Sequence, residues 1–292
     1  MQNARHYDFM VRKLRAFFHK KGFLEIPASS RLSIMAACED PKTVTTFQMG
    51  GKTWPASQTG QMWLEMELLK NPDLPGVFCL GPSFRNEPNP IPGRHQWIFP
   101  MFDFEGRGDF EELKKIEAEI LQEFGCAAPT PVQYEELCKA YGAETIEAEQ
   151  ESKVCAEVSA TISLEKFPTR ANPFWNMRYI GDGLFNKIDV LTYGMETIGS
   201  AERSCNPEEM YTFFLANSDG KYAELLFKLF GKDRVMKELD EYLSLDFFPR
   251  FGGGIGLTRL ENACKQAGLF DQMDSYTSPY TFMPYKVEQT TV

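Results

Sequence analysis

The 292-residue sequence lacks the patterns that mark common metal, disulfide and membrane proteins. Its seven cysteines include no CxxC pair and its three histidines form no HExxH motif, which argues against a zinc site or a disulfide framework. No apolar run approaches the ~20 residues needed to cross a bilayer, and the N-terminus has no signal-peptide stretch. We therefore expect a cytoplasmic protein with reduced, buried thiols.

Positive charge is also scarce. The chain has 31 Lys and Arg against 41 Asp and Glu, a formal net charge of −10. This balance argues against binding nucleic acid mainly by neutralising phosphates, because that mode needs a basic face. The familiar nucleotide motifs fail as well. Gly51-Lys52-Thr53 ends like a P-loop, but position 46 is Thr, and the glycines of 252–256 do not follow the GxGxxG order.

Apolar periodicity predicts helices and strands that alternate along one domain, residues 1–292. The predicted helices cover 5–21, 110–124 and 258–266, and the predicted strands cover 23–26, 77–80, 97–104, 188–191, 196–200 and 251–257. The polar stretch of about 127–168 is a candidate insertion. Because long excursions separate strands that pair like hairpins, we predict an α+β fold with an antiparallel sheet flanked by helices.

The loop after the strand at 77–80 carries side chains suited to a nucleotide. Arg85 can bind a phosphate through two parallel hydrogen bonds from its planar guanidinium. Phe99, on the returning strand, is suited to stacking on a purine. Alternation along that strand places Phe99, Asp103 and Glu105 on one face.

Two later segments carry further candidates. Asp189, Glu196 and Arg203 are spaced by sevens, and two carboxylates beside nucleotide phosphates suit Mg²⁺. The glycines of 252–256 let a backbone approach a ligand closely, and Arg259 follows where the strand becomes a helix. Each residue alone also fits an ordinary surface charge or a bulged strand. Their joint occurrence is what indicates a site.

Six segments of the sequence resemble the class II aminoacyl-tRNA synthetases, specifically the aspartyl and asparaginyl branch, and they occur in the order typical of that family. Phe84-Arg-Asn-Glu87 with Arg94-His95 and Phe99 is similar to motif 2, and Gly256-Leu-Thr-Arg-Leu260 to motif 3. The other similar segments are Glu196-Thr-Ile-Gly-Ser-Ala-Glu-Arg203, Asn172-Pro-Phe-Trp-Asn-Met177, Cys38-Glu39 and Thr59-Gly-Gln-Met-Trp-Leu-Glu65. The resemblance implies a class II catalytic domain that is an AMP-forming ligase, with ATP and Mg²⁺ as cofactors.

The resemblance also implies roles in nucleotide binding. Arg85 would bind the α-phosphate and Arg259 the γ-phosphate, the two catalytic contacts. His95 would also reach the γ-phosphate, Glu87 would contact the adenine amino group, and Phe99 and Arg259 would stack on the two faces of adenine. The implied magnesium ligands are Asp189 and Glu196, of which Glu196 also belongs to the ATP site.

The implied amino-acid pocket begins with the α-ammonium group, which Thr59, Gln61 and Asp103 would bind. Glu39 would close over the substrate from a mobile loop, and Arg203 would bind a side-chain oxygen. The substrate-binding residues expected in full are Glu39, Thr59, Gln61, Glu65, Asp103, Arg203, Gly252 and Gly254.

Residue 64 bears on the choice of amino acid. The aspartyl enzymes and the related archaeal asparagine synthetase have a lysine there, whereas this chain has Leu64 followed by Glu65. A carboxylate at position 65 can accept a hydrogen bond from a side-chain amide and repels a second carboxylate. This favours asparagine over aspartate. The alternatives are an ammonia-dependent asparagine synthetase acting on aspartate and a non-catalytic regulatory paralogue.

The first helix of the implied catalytic core starts almost at Met1, so we expect no anticodon-binding domain. With the net charge of −10, this predicts that tRNA is not recognised without a partner. The expected product is an aminoacyl-adenylate passed to another acceptor, such as ammonia, an amine, a peptide or a protein. The resemblance also implies a homodimer formed through residues 18–27, and no membrane partner.

Overall fold

The computed structural model describes residues 3–29, 32–34 and 43–274. Within them, the α-helices are α1 Ala4–Lys20, α2 Gln61–Lys70, α3 Phe110–Glu123, α4 Tyr134–Tyr141, α5 Ala148–Glu157, α6 Pro207–Ala216, α7 Lys221–Phe230, α8 Lys232–Leu243, α9 Leu257–Gln266 and α10 Leu269–Asp274. The strands are β1 Leu24–Glu25, β2 Thr46–Met49, β3 Lys52–Pro55, β4 Gly76–Phe84, β5 Ile98–Arg107, β6 Thr130–Gln133, β7 Thr161–Pro168, β8 Tyr179–Gly181, β9 Leu184–Thr192, β10 Met195–Glu202 and β11 Arg250–Gly256.

Nine strands form one mixed sheet in the order β1-β4-β5-β11-β10-β9-β7-β6, with β8 also paired to β9. Its interior pairs are antiparallel, and the two edge pairs, β1 with β4 and β6 with β7, are parallel. Strands β2 and β3 form a separate hairpin. The predicted α+β class is therefore confirmed.

Aromatic and aliphatic side chains fill the layer behind the sheet. Helices α1 and α3 have strongly amphipathic sequences, and their apolar faces pack on the sheet. Phe18 of α1 contacts Phe78, Phe102 and Phe104, with ring centroids 5.2–5.5 Å apart. Burial of this size dominates the free energy of folding, at roughly 2 kcal/mol for each large apolar side chain. The rear layer therefore fixes the position of β4 and β5.

The front of the sheet is covered more unevenly. Helices α6, α7 and α8 pack around the buried Trp175, and α4 and α5 pack on β7 and β9. Helix α2 crosses β5 between these groups. The middle of the front face is left accessible, and the polar residues described below lie there.

The predicted elements agree with the observed ones to within a few residues over α1, α3, β9, β10, β11 and α9. The candidate insertion at about 127–168 contains helices α4 and α5, but its strands also complete the sheet, because β7 pairs with β9 and β6 pairs with β7. Within the described residues, no helix is both long and apolar enough to cross a membrane.

Candidate active site

A row of residues crosses the front face in register and forms the base of the site. Asp103 on β5 pairs with Gly254 on β11, which pairs with Gly199 on β10, which pairs with Asp189 on β9. Directly paired residues project from the same face of a sheet, and neighbouring strands are about 4.8 Å apart. The two glycines therefore leave a trough between two aspartates that lie roughly 14 Å apart across the sheet.

The trough contains a cavity of about 110 Å³ at its upper end, bounded by the loop between β4 and β5 and by the start of α9. Its lining includes the predicted nucleotide residues Arg85, Glu87, His95, Phe99, Glu196 and Arg259, together with Met101, Thr197, Gly199, Gly254, Gly256 and Thr258. The fold thus brings together all six residues predicted for ATP, from four separate parts of the chain.

Arg85 is held over the ring of Phe99, with its guanidinium carbon 5.4 Å from the ring centroid. Its backbone N–H donates to the carbonyl of Trp97 at 2.8 Å, which fixes the loop as a continuation of the hairpin. The Nε of Arg85 is buried and has no hydrogen-bond partner in the described residues. A buried cationic donor without a partner is costly unless an anion binds there.

Arg259 enters the cavity from the first turn of α9. Its Nη1 donates to the backbone carbonyl of Glu196 at 2.9 Å and to Oε2 of the same residue at 3.2 Å. Burial alone would raise the pKa of Glu196, but the charges of Arg259, Lys187 and Arg85 outweigh it and hold the pKa below its ordinary value. Glu196 is therefore ionised and holds Arg259 at the cavity.

His95 borders the same cavity from the loop. The backbone N–H of Ile91 donates to its Nδ1 at 3.3 Å. Burial and the neighbouring arginines lower the pKa of His95, against the opposing charge of Glu87. His95 is thus neutral near pH 7. The adjacent Arg94 forms an ion pair with Glu151 of α5, which ties the loop to the front layer.

Asp103 is the buried carboxylate below the cavity, only 2% exposed. Its Oδ1 accepts from Thr59 Oγ1 at 2.7 Å and from Gln61 Nε2 at 3.4 Å, and its Oδ2 accepts from the Gly60 N–H at 2.8 Å. Burial raises its pKa, although these three hydrogen bonds work in the opposite direction. All three donors are neutral, so a bound ammonium group would supply the positive charge that this carboxylate lacks.

Gln61 connects Asp103 to a second buried group. Its Oε1 accepts from Nη2 of Arg203 at 2.7 Å. The same Nη2 lies 2.5 Å from Oε1 of Glu105, and Arg203 Nε lies 3.3 Å from the other oxygen. Burial raises the pKa of Glu105, and the charge of Arg203 opposes that change. The charge and the hydrogen bonds of Arg203 favour the ionised form of Glu105, and the two groups form a neutral ion pair that presents both a donor and an acceptor.

The glycines of β11 make room for these carboxylates. A Cβ at Gly252 would lie 1.9 Å from Oε1 of Glu105, and one at Gly254 would lie 2.9 Å from Oδ1 of Asp103. Both positions exclude a side chain for steric reasons. The predicted involvement of Gly252 and Gly254 is therefore explained by space, since each accommodates a carboxylate from the neighbouring strand.

The family model for class II tRNA synthetases (D, K and N) matches residues 2–266. The chain belongs to this family. Similar solved structures include asparaginyl-tRNA synthetase from Pyrococcus horikoshii complexed with asparaginyl-adenylate, with TM-score 0.74 and 18% identity, covering 90% of this chain and 64% of that one. The corresponding Entamoeba histolytica complex has TM-score 0.70 and 18% identity, covering 89% and 63%.

Aspartyl-tRNA synthetase from Entamoeba histolytica is also similar, with TM-score 0.65 and 21% identity, covering 89% of this chain and 54% of that one. The chain thus spans less than two thirds of each of these structures. A sequence comparison with curated proteins finds no match. The predicted relationship to the class II aspartyl and asparaginyl branch is confirmed. The synthetases of this family are ATP-dependent ligases.

Two neighbouring residues that bear on the choice of amino acid, Leu64 and Glu65, do not line this cavity. Glu65 is fully buried away from the cavity, where it accepts from Arg250 Nε at 2.9 Å, Asn176 Nδ2 at 2.7 Å and the Tyr242 hydroxyl. Its carboxylate is needed there, because Arg250 is also fully buried. Leu64 packs in an apolar cluster with Leu68, Val77 and Cys79 and does not face the substrate region. Glu39 lies outside the described residues.

The magnesium prediction meets a similar obstacle. Class II synthetases generally use Mg²⁺ with ATP, but the two carboxylates predicted to hold it already have cationic partners. Lys187 Nζ bonds Oδ1 of Asp189, and Arg259 bonds Glu196. Among the residues that the structure describes, no group of three or more His, Cys, Asp or Glu side chains is arranged to hold a metal. With the Lys187 ammonium against its carboxylate, Asp189 therefore does not fit a magnesium site shared with Glu196.

Sequence reasoning gave no role to two residues that the structure places at this site. Glu105 is the partner of Arg203, and its position two residues after Asp103 on one strand face was the available signal. Lys187 lies two residues before Asp189 on β9 and thus on the same face of that strand. The same two-residue alternation would have identified it.

Proposed function

We propose that this class II synthetase-family chain activates asparagine with ATP, forming asparaginyl-adenylate and pyrophosphate. One observation carries the proposal. The arginine-lined cavity adjoins a continuous hydrogen-bonded series that runs from Asp103 through Gln61 to Arg203 and Glu105. The cavity suits a nucleotide, and the series suits both polar ends of an amide amino acid.

The proposed reaction needs positioning and charge neutralisation and no covalent enzyme intermediate. A substrate carboxylate oxygen attacks the α-phosphorus, the bond from that phosphorus to the bridging oxygen breaks, and pyrophosphate leaves. Arg85 would neutralise the charge that develops on the α-phosphate, with its buried Nε as a ready donor. Arg259 would give up its contact with Glu196 and bind the γ-phosphate instead. Asp103 would hold the α-ammonium group, so that the carboxylate points toward Arg85.

The choice of asparagine over aspartate follows from the neutral Arg203–Glu105 pair. Arg203 can donate to the side-chain carbonyl oxygen of asparagine, and Glu105 can accept from its amide nitrogen. An aspartate carboxylate would meet an arginine that is already neutralised and a second carboxylate beside it. The asparaginyl-adenylate named for two of the similar structures agrees with this choice.

We further propose that the adenylate passes to an acceptor other than a tRNA recognised by this chain alone. The formal net charge of −10 supports this, since electrostatic capture of tRNA needs basic surface. A homodimer formed through α1 and β1 belongs to the same proposal. Its support is the position of β1 at the edge of the sheet, where Leu24 is half-exposed.

Amino-acid-dependent exchange of pyrophosphate into ATP tests adenylation without knowledge of the acceptor. We expect exchange with asparagine and its loss in Arg85→Ala and Arg259→Ala, which should remain folded. Arg12→Ala is the control, because Arg12 pairs with Asp8 on the exposed side of α1. Exchange with aspartate alone would instead support the asparagine synthetase alternative. No exchange and no ATP binding would overturn the proposal in favour of a regulatory paralogue.

A further inference from the structure

Lys187 is the cation that pairs with Asp189, one of the two predicted metal ligands. Its side chain lies along the face of β9 that carries Asp189, and its Nζ forms an ion pair with Oδ1 of that residue. The ring of Phe167 lies on another side, with the ammonium 3.6 Å from the ring centroid. Lys187 is 9% exposed, so its ammonium has limited freedom to move away from this position.

The charge of Lys187 also reaches the nucleotide cavity. It is among the charges that lower the pKa of Glu196, which lines that cavity, while Glu196 and Asp189 repel each other. Lys187 pairs in register with Ala201 of β10, and β10 lies between β9 and the glycine-rich strand β11. The ammonium therefore contacts the carboxylate that would otherwise attract a divalent cation.

We propose that the Lys187 ammonium takes the place of a divalent cation at Asp189, so that this carboxylate is neutralised by a charge built into the chain. The inference rests on the proposed nucleotide site. A divalent ion bound at Asp189 would have to displace an ammonium that already contacts Oδ1, against like-charge repulsion. Asp189 is then a positioning residue for Lys187 and not a metal ligand.

Access to this position is open from the side of α4 and α5. A separate polar cavity of about 340 Å³ is lined by Lys187, Asp189 and Glu151, among other residues. A hydrated cation can therefore reach Asp189 without crossing the apolar core. Exclusion of a metal by Lys187 must accordingly be electrostatic, which makes it measurable in the folded protein.

Direct Mn²⁺ binding, followed by electron paramagnetic resonance without nucleotide, tests the exclusion. We expect Lys187→Met to bind Mn²⁺ at least tenfold more tightly than the unchanged protein, and Lys187→Arg to match the unchanged protein. Adding Asp189→Asn to Lys187→Met should abolish the gain. Lys114→Met is the matched control, because Lys114 also pairs with a carboxylate, Glu111, but lies on α3 behind the sheet.

Binding of ATP in the presence of EDTA gives a second readout. The unchanged protein should bind metal-free ATP within about threefold of its affinity for ATP with Mg²⁺, and Lys187→Met should lose at least tenfold of the metal-free affinity. Equal Mn²⁺ affinity in Lys187→Met and the unchanged protein would overturn the inference, as would tight, Asp189-dependent Mn²⁺ binding to the unchanged protein. This last measurement needs no variant of Lys187 that folds.

The two readouts separate this inference from the proposed function. If the unchanged protein binds no ATP in any condition, the proposed function fails, and the Mn²⁺ series still decides the role of Lys187. If ATP binds only together with a divalent cation, the proposed adenylation still stands, but the proposal that Lys187 replaces a metal fails.

Discussion

Replacement of Glu105 by glutamine provides the sharpest test of how this site distinguishes asparagine from aspartate. The two side chains have nearly the same shape, so Glu105→Gln removes a negative charge and little volume. Arg203, 1% exposed and 2.5 Å from the Glu105 carboxylate, then loses its partner charge. A substrate carboxylate would meet an arginine that is no longer neutralised and would no longer be repelled by Glu105.

The size of the effect follows from Coulomb's law. Two unit charges about 4 Å apart interact by about 4 kcal/mol at an effective dielectric constant of about 20. Allowing for water that enters the open site, we expect a shift of about 2 to 4 kcal/mol in favour of aspartate. Because 1.4 kcal/mol corresponds to a factor of ten, the ratio of kcat/KM for aspartate over asparagine should rise roughly 30- to 700-fold.

Glu65→Gln is the matched control, since Glu65 forms the other fully buried pair with an arginine, Arg250, and has no hydrogen bond to Arg203 or Gln61 in the described residues. Breaking either pair should lower the free energy of unfolding by about 3 kcal/mol. Only Glu105→Gln should alter the ratio measured by pyrophosphate exchange. An unchanged ratio in Glu105→Gln, or a comparable change in Glu65→Gln, would refute the assignment of specificity to the Arg203–Glu105 pair.

Three further predictions concern the glycine strand, a buried carboxylate and the sheet edge. Gly254→Ala places a Cβ 2.9 Å from Asp103 Oδ1, so the KM for the amino acid should rise about tenfold or more through loss of a charged hydrogen bond. Gly256→Ala, whose Cβ would have no neighbour within 4 Å, should leave that KM unchanged; equal effects would contradict the steric argument. Burial raises the pKa of Glu117 from 4.5 to about 8, so the folded protein keeps a proton that the unfolded chain loses. Stability should therefore fall as the pH rises from about 4.5 to about 8, and in urea unfolding Glu117→Gln should flatten this dependence by at least about 1 kcal/mol; parallel pH profiles would show that Glu117 does not titrate in this way. Light scattering should give a dimer for the unchanged protein and a smaller mass for Leu24→Asp, whereas Leu215→Asp, an exposed position on α6, should remain dimeric; a monomeric unchanged protein would remove the proposed dimer.

Most of the predicted nucleotide residues lie together in the structure, and they could be predicted because they belong to short sequence motifs. Arg85, Glu87 and His95 lie on one loop, and Arg259 follows a glycine strand at a fixed distance. The local sequence of each short segment determines its local structure, here a hairpin loop, a strand and the first turn of a helix. The family and the fold class therefore follow from the sequence alone.

Long-range contacts decided the rest. The class II resemblance placed Glu65 in the amino-acid pocket, yet Glu65 pairs with Arg250, 185 residues away along the chain. Glu105 gained its role from Arg203, 98 residues away.

The sequence by itself determined the helices and strands, the nucleotide motifs and the family, because these depend on periodicity and on residues close together in the chain. Only the tertiary structure decided which charges neutralise each other. Burial makes an unpaired charge costly, so Glu65, Glu105 and Asp189 each pair with a cation that the fold brings to them. That choice paired Glu105 with Arg203 and Glu65 with Arg250, and it brought Lys187 to Asp189 where a metal was expected.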